Sequence, residues 1–184
     1  MSKNKENCSF SIALTQLMPR LSRYALVLTR SKVDAEDLLQ ATLARALDKR
    51  HQWCVDSELD RWVFTIQSSV WKNELRSRYI RNTNGEQSAD ELADSHPRND
   101  PQRTFLLQQV LVQVMNLPEI HRIPILLVYV EGFSYQEAAD MLDIPIGTIM
   151  SRLARARISL AEHFNPPVGN RPDTAQSLER NNGK

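Results

Sequence analysis

The ionisable side chains of this chain gather in three groups. Lys72, Arg76, Arg78 and Arg81 cluster against the single acid Glu74, and Arg152, Arg155 and Arg157 follow with no acid before Glu162. Asp34, Glu36, Asp37 and Asp48 are opposed only by Lys32 and Arg45. Clustered cations grip phosphate, and an arginine can pair in bidentate fashion with guanine O6 and N7. Two basic patches and one acidic patch suit a protein that touches both nucleic acid and another protein. Solvated helix faces are the other reading of each patch. With 23 basic and 22 acidic residues the formal net charge is +1. That balance does not exclude nucleic acid, because the distribution of charge governs binding more than its sum.

Other chemistries find little support. Cys8 and Cys54 do not make a disulfide framework. His51 and Cys54 form a lone His-x-x-Cys with no second ligand pair, whereas structural zinc takes four ligands. Nothing marks either thiol as activated. There is no nucleophile–base set and no phosphate-cradling glycine loop, so neither an enzyme nor a bound cofactor or metal is expected. The polar start Met1–Ser9 lacks the apolar centre of a signal peptide. The longest apolar run, Ile123–Val130, is broken by Pro124 and too short to span a bilayer. A cytoplasmic chain with no direct membrane insertion is the expectation.

The elements that must position these groups are helices. From residue 10 to 80, apolar residues recur three and four apart with no useful strand alternation. Residues 81–102 turn polar and carry Gly85 and Pro97, as a flexible linker does. A second helical block covers 103–165, and 166–184 is polar and expected to be disordered. The fold class is therefore all-α, with two small helical domains on a tether. Small cores of this size are expected to lean on a partner for stability. Pro118 suits the first turn of a helix. Pro124 falls inside an apolar run, where it forces a late helix start or a kink.

The second block has the form of a helix-turn-helix. Ser134-Tyr135-Gln136-Glu137 spells a capping box, and Gly132 before it suits a helix end. Ala138, Ala139, Met141 and Leu142 give a short helix that allows close approach, and Asp143-Ile144-Pro145 interrupts it. A further helix runs from about Gly147 to His163, burying Ile149, Leu153 and Ala156. Thr148, Ser151, Arg152 and Arg155 remain for a DNA-reading face, Arg152 and Arg155 pointing the same way because they are three apart. Ordinary surface arginines are the alternative, and for Arg157 that or a phosphate contact is preferred.

In the first block, Asp34-Ala35-Glu36-Asp37-Leu38-Leu39-Gln40 precedes Thr42-Leu43-Ala44-Arg45-Ala46, then Arg61-Trp62-Val63-Phe64-Thr65-Ile66 and Glu74-Leu75-Arg76. This series resembles region 2 of extracytoplasmic-function sigma factors. Leu117-Pro118, Tyr129-Val130-Glu131-Gly132, the capping-box segment and Gly147-Thr148-Ile149-Met150-Ser151-Arg152-Leu153 resemble region 4 of the same family. The resemblance covers most of the chain outside the linker and both ends. It implies a transcription initiation factor whose partners are core RNA polymerase, promoter DNA and an anti-sigma factor. It places Asp34, Asp37, Gln40 and Ala41 against the polymerase clamp helices, with Ala35, Leu38, Leu39, Thr42 and Ala46 facing inward. It places Ser69, Lys72, Asn73, Arg76 and Arg78 along the melted −10 strand, where a flipped base meets a polar pocket and the backbone meets cations. It places Thr148, Ser151, Arg152 and Arg155 at the −35 element.

Trp62 reads as core rather than a base-stacking group, and Tyr79 fits either role. Three positions depart from the family pattern: Ser69 where Asn is usual, Met150 where a basic residue is common, and Ala41 where Glu is common. They bear on promoter sequence and local contacts, not on architecture. Three rivals compete with this reading. A stand-alone helix-turn-helix regulator leaves the first block unexplained. A sigma mimic that sequesters a regulator does not need Arg76, Arg152 and Arg155. A redox sensor lacks an activated thiol.

Overall fold

The computed structural model describes residues 2–53, 58–82 and 101–164, with side chains over 9–53, 58–80 and 109–164. Most of the expected linker, the expected disordered tail and Cys54 lie outside the described residues. Among the described residues all regular structure is helical. Helices α1 (Ser2–Thr29), α2 (Lys32–Asp48) and α3 (Leu59–Asn82) form the first module, with a short 3-10 turn at Arg50–Gln52. Helices α4 (Pro101–Asn116), α5 (Glu119–Ile125), α6 (Tyr135–Leu142) and α7 (Ile146–Phe164) form the second.

The first module is built on the α1 stripe Leu14, Leu21, Tyr24, Ala25 and Leu28, all buried. Against it α2 lays Ala35, Leu38, Thr42 and Ala46, the inward side that its spacing predicts; Leu39, expected with them, is half-buried. Ser31 caps α2 by accepting from the Asp34 amide at 3.3 Å. From α3 come Val63, Phe64 and Ile66. Two buried polar groups find partners: Tyr24 and Ser68 share a hydroxyl hydrogen bond of 2.8 Å, and Gln67 donates to the Leu21 carbonyl at 3.0 Å. Trp62 is half-buried, edge-on to Phe10, as the core reading expects.

In the second module Pro118 stands as the N-cap of α5, just outside the first turn. Pro124 sits within α5, and the helix widens immediately afterwards into a π turn over Leu126–Val130. A proline cannot donate to the preceding turn, and π turns are a known place where helices absorb such a defect. The Glu131 amide closes the turn on the Leu126 carbonyl at 2.9 Å, and Gly132 ends it at φ +82°. The expectation of a late start or a kink is thereby made specific: the helix starts on time and is deformed after the proline.

The capping box on α6 is complete. Ser134 Oγ accepts from the Glu137 amide at 3.2 Å, and Glu137 Oε2 accepts from the Ser134 amide at 2.7 Å. Asp143 ends α6 in the left-handed region at φ 53°. Helix α7 begins at Ile146, one residue before the expected start, and buries Ile149, Leu153 and Ala156.

Leu153→Ala, on the fully buried seam of α7, is expected to lower unfolding free energy by about 2–5 kcal/mol in urea titrations. Ser134→Ala should cost about 1 kcal/mol through the lost cap. Hydrogen bonds from Ser134 hold the Glu137 carboxyl below its ordinary value. Its contribution is therefore complete above the ordinary carboxylate range and fades as pH falls through the lowered folded value. Ser134→Ala should reduce that acid dependence and not abolish it, because the backbone amide at 134 still donates to the Glu137 carboxyl.

Candidate nucleic-acid interface

Helix α7 is entered through Pro145, whose carbonyl accepts from the Thr148 amide at 2.8 Å. With Ile149, Leu153 and Ala156 turned inward, Ser151 and Arg155 are exposed, and Thr148 and Arg152 are half-buried. The Ser151 hydroxyl donates to the Thr148 carbonyl at 3.0 Å. Met150, one of the positions that depart from the family pattern, is 49% exposed on the same helix. Behind α7, burial and the charges of Arg155 and Arg152 lower the pKa of His121 on α5. Its Nε2 is buried without a hydrogen-bond partner, so a neutral imidazole supports a doubly cationic helix.

On α3, Ser69, Asn73 and Arg76 are exposed on one face, as spacings of four and three predict. The other two expected −10 residues are engaged elsewhere. Lys72 Nζ donates to the Leu142 carbonyl at the end of α6. Arg78 pairs with Asp34 and with Glu74, each at 3.0 Å, and lies over the Trp71 ring at 5.5 Å. The carboxylates hold the Arg78 pKa above its ordinary value although burial opposes them. Tyr79 is 74% exposed, which favours the outward of its two readings. The Arg81 side chain lies outside the described residues.

On α2, Asp37, Gln40 and Ala41 are exposed, with Glu36 and Ala44 beside them. Asp34 is half-buried by its pairing with Arg78. One expected polymerase contact and one expected −10 contact are thus partners of each other.

Sequence reasoning missed the residues that join the modules. Arg20 of α1 donates through Nε to Glu131 Oε2 at 2.7 Å and through Nη1 to Asp60 Oδ2 at 2.9 Å. Arg61 pairs with Asp140 at 2.6 Å, and Trp71 Nε1 donates to Glu119 at 2.9 Å. Arg122, only 2% exposed, donates to the Val27 carbonyl at 2.8 Å. Only the arginine-to-carbonyl contact had any sequence signal, an Arg bordering the apolar run that starts at Ile123. Between the modules an open groove of about 380 Å³ is lined by Lys72 and Arg76 of α3 and by Arg152 of α7. Among the described residues no cluster of His, Cys, Asp and Glu has the makings of a metal site. Nor is any described helix long and apolar enough to cross a membrane.

Comparison with known proteins adds family evidence. Residues 107–160 match the model of sigma-70 region 4, and residues 14–68 match that of the Sigma2 domain of PhyR. The chain is 30% identical over 174 residues to the ECF RNA polymerase sigma factor EcfG of Rhodopseudomonas palustris (strain TIE-1), covering 90% of this chain and 92% of that protein. It is 29% identical over 145 residues to the ECF RNA polymerase sigma-E factor of Escherichia coli (strain K12), covering 73% and 76%. Among solved structures, the sigma factor RpoE in complex with the anti-sigma factor NepR from Bartonella quintana superposes with a TM-score of 0.73 at 30% identity. That overlay covers 85% of this chain and 96% of RpoE.

Two measurements probe the geometry. The His121 imidazole, followed by NMR, should titrate below its ordinary 6.5. Arg155→Ala, which removes one repelling charge, should move that midpoint upward. Stability tied to His121 is lost as pH falls from the ordinary value to the lowered one, because only the unfolded chain takes the proton readily there. A double-mutant cycle on Asp34→Asn and Arg78→Gln should give a coupling of about 0.2–1 kcal/mol, the range of partly exposed pairs.

Proposed function

The chain belongs to the extracytoplasmic-function RNA polymerase sigma factors, and we propose that its two modules divide promoter recognition between them. The observation that carries this division is the outer face of α7. A helix that buries Ile149, Leu153 and Ala156 leaves Ser151 and Arg155 exposed, with Thr148 and Arg152 half-buried beside them. In the proposal that side enters the major groove at the −35 element, Arg155 and Arg152 pairing with guanine or phosphate.

The first module binds core polymerase through the α2 surface of Asp34, Asp37, Gln40 and Ala41. Its small and acidic side chains suit a basic partner helix. The exposed α3 face of Ser69, Asn73 and Arg76, with Lys72 and Arg78, takes the melted −10 strand. Cations follow its backbone and polar groups meet an extruded base. Two modest sites on one chain reinforce each other through effective concentration, so neither needs high affinity alone. The proposal places this activity in the cytoplasm and puts it under an anti-sigma factor, as in the RpoE–NepR complex.

The match of residues 14–68 to the Sigma2 domain of PhyR supports a second reading, a sigma mimic that sequesters a regulator. Initiation assays with bacterial core polymerase on a randomised promoter library separate the two. A sigma factor gives core-dependent transcripts from a selected subset of promoters; a mimic gives no core binding and no transcripts. Arg155→Ala should weaken promoter binding by about 1–3 kcal/mol and relax selectivity at one −35 position if it reads a base. Uniform weakening across promoters would assign it to phosphate. Asp37→Lys should reduce core binding and leave the fold intact, checked by binding titration and circular dichroism.

A further inference from the structure

Helix α7 carries two chemistries in neighbouring rows. One row is Gly147, Ser151 and Arg155, four residues apart, with Ser151 and Arg155 exposed. The Ser151 hydroxyl gives its proton to the Thr148 carbonyl and keeps its capacity to accept. The next row is apolar: Ile146 and Met150 are exposed, and half-buried Ala154 follows one turn on. The core seam of Ile149, Leu153 and Ala156 does not take Met150 in. A Cβ at Gly147, between the starts of the two rows, would meet nothing within 4 Å, so the approach to both is open. A lone exposed apolar side chain needs no explanation by itself. The position of Met150 gives it one, because it lies in the second turn of a helix whose adjoining row is Ser151 and Arg155. The N-terminal residues of a helix seated in the major groove are the ones that meet base edges.

A thioether chain donates nothing and accepts only weakly. Laid over a G·C edge, it covers the guanine N7 and O6 acceptors and the cytosine amino donor without bonding them, and unmade hydrogen bonds are costly. Laid over thymine, it meets the C5-methyl group, the one apolar feature in the major groove, and both surfaces leave water. Its unbranched, adaptable chain suits such a contact. We infer that Met150 is a specificity-determining residue of the −35 contact, selecting a base pair that carries thymine by packing on its C5-methyl group. Ser151 and Arg155 bond polar edges alongside, so the two rows of α7 read different chemistry in adjacent base pairs. The inference rests on the reading that α7 enters the major groove at the −35 element, and deepens it.

The test uses the full-length chain assembled with bacterial core polymerase. Promoters randomised across the −35 element are selected with the wild type and with Met150→Lys. The base pair at which the two selections differ is the one that residue 150 faces, and the wild type should require thymine there on one strand. That thymine is then replaced by deoxyuridine, which lacks only the methyl group. Wild-type affinity should fall about fourfold, the effect of exposing one methyl-sized group. Met150→Leu should keep this sensitivity, and Met150→Lys should bind the thymine and deoxyuridine promoters alike. Because Met150 is exposed, both variants should keep the fold, as circular dichroism checks. Equal wild-type binding to the two promoters would overturn the inference. So would selection of a G·C pair by the wild type at that position, or selections that differ at no −35 pair. Promoter-specific transcripts with no methyl effect would remove the inference alone. Absence of core-dependent transcripts from every form would remove the sigma-factor reading and the inference with it.

Discussion

The Arg20 guanidinium is the group on which the arrangement of the whole chain turns. It bonds Asp60 within its own module and the Glu131 side chain and carbonyl of the other. It also lies between Phe64 and Phe133, which extend the two cores into each other. Burial alone would lower its pKa, yet the two carboxylates raise it above the ordinary value. Of the three charged groups only the Glu131 side chain is fully withdrawn from water, at 1% exposure, so removing Arg20 would leave its charge matched by Arg23 alone. Specificity of arrangement is what such a network supplies; the hydrophobic cores supply the stability.

The placement of Glu131 follows from a backbone defect. Pro124 denies the helix a donor, the π turn after it absorbs the change, and Gly132 turns the chain at positive φ. The three together deliver Glu131 to the surface of α1 and Ser134 to the head of α6. A helix deformed beside a functional face is a common use of π turns. Here the deformation serves the joint between modules and the entry to the helix-turn-helix at once.

Charge is distributed unevenly over α5, α7 and α3. His121 stays neutral behind Arg152 and Arg155 because burial and both charges disfavour its proton. Arg155 is exposed and Arg152 half-buried on α7. On α3 the cations are divided: Arg76 faces out, while Arg78 is held by Asp34 and Glu74. The partly exposed Arg78–Asp34 ion pair ties the α2 and α3 surfaces of the first module together.

Much was legible in the sequence because its signals are local. The period of Ala35, Leu38, Thr42 and Ala46 fixed the inward side of α2. Ser134 with Glu137 spelled a capping box that the structure forms. The step from Ile149 to Leu153 to Ala156 set which side of α7 is buried. What tertiary structure alone decided involves residues far apart in the chain. Arg20 meets Glu131 across 111 positions, Arg61 meets Asp140 across 79, and Lys72 meets Leu142 across 70. No periodicity encodes such pairs. An arginine bound for a buried clasp reads in sequence like one bound for solvent, and only the packing of one module on the other tells them apart.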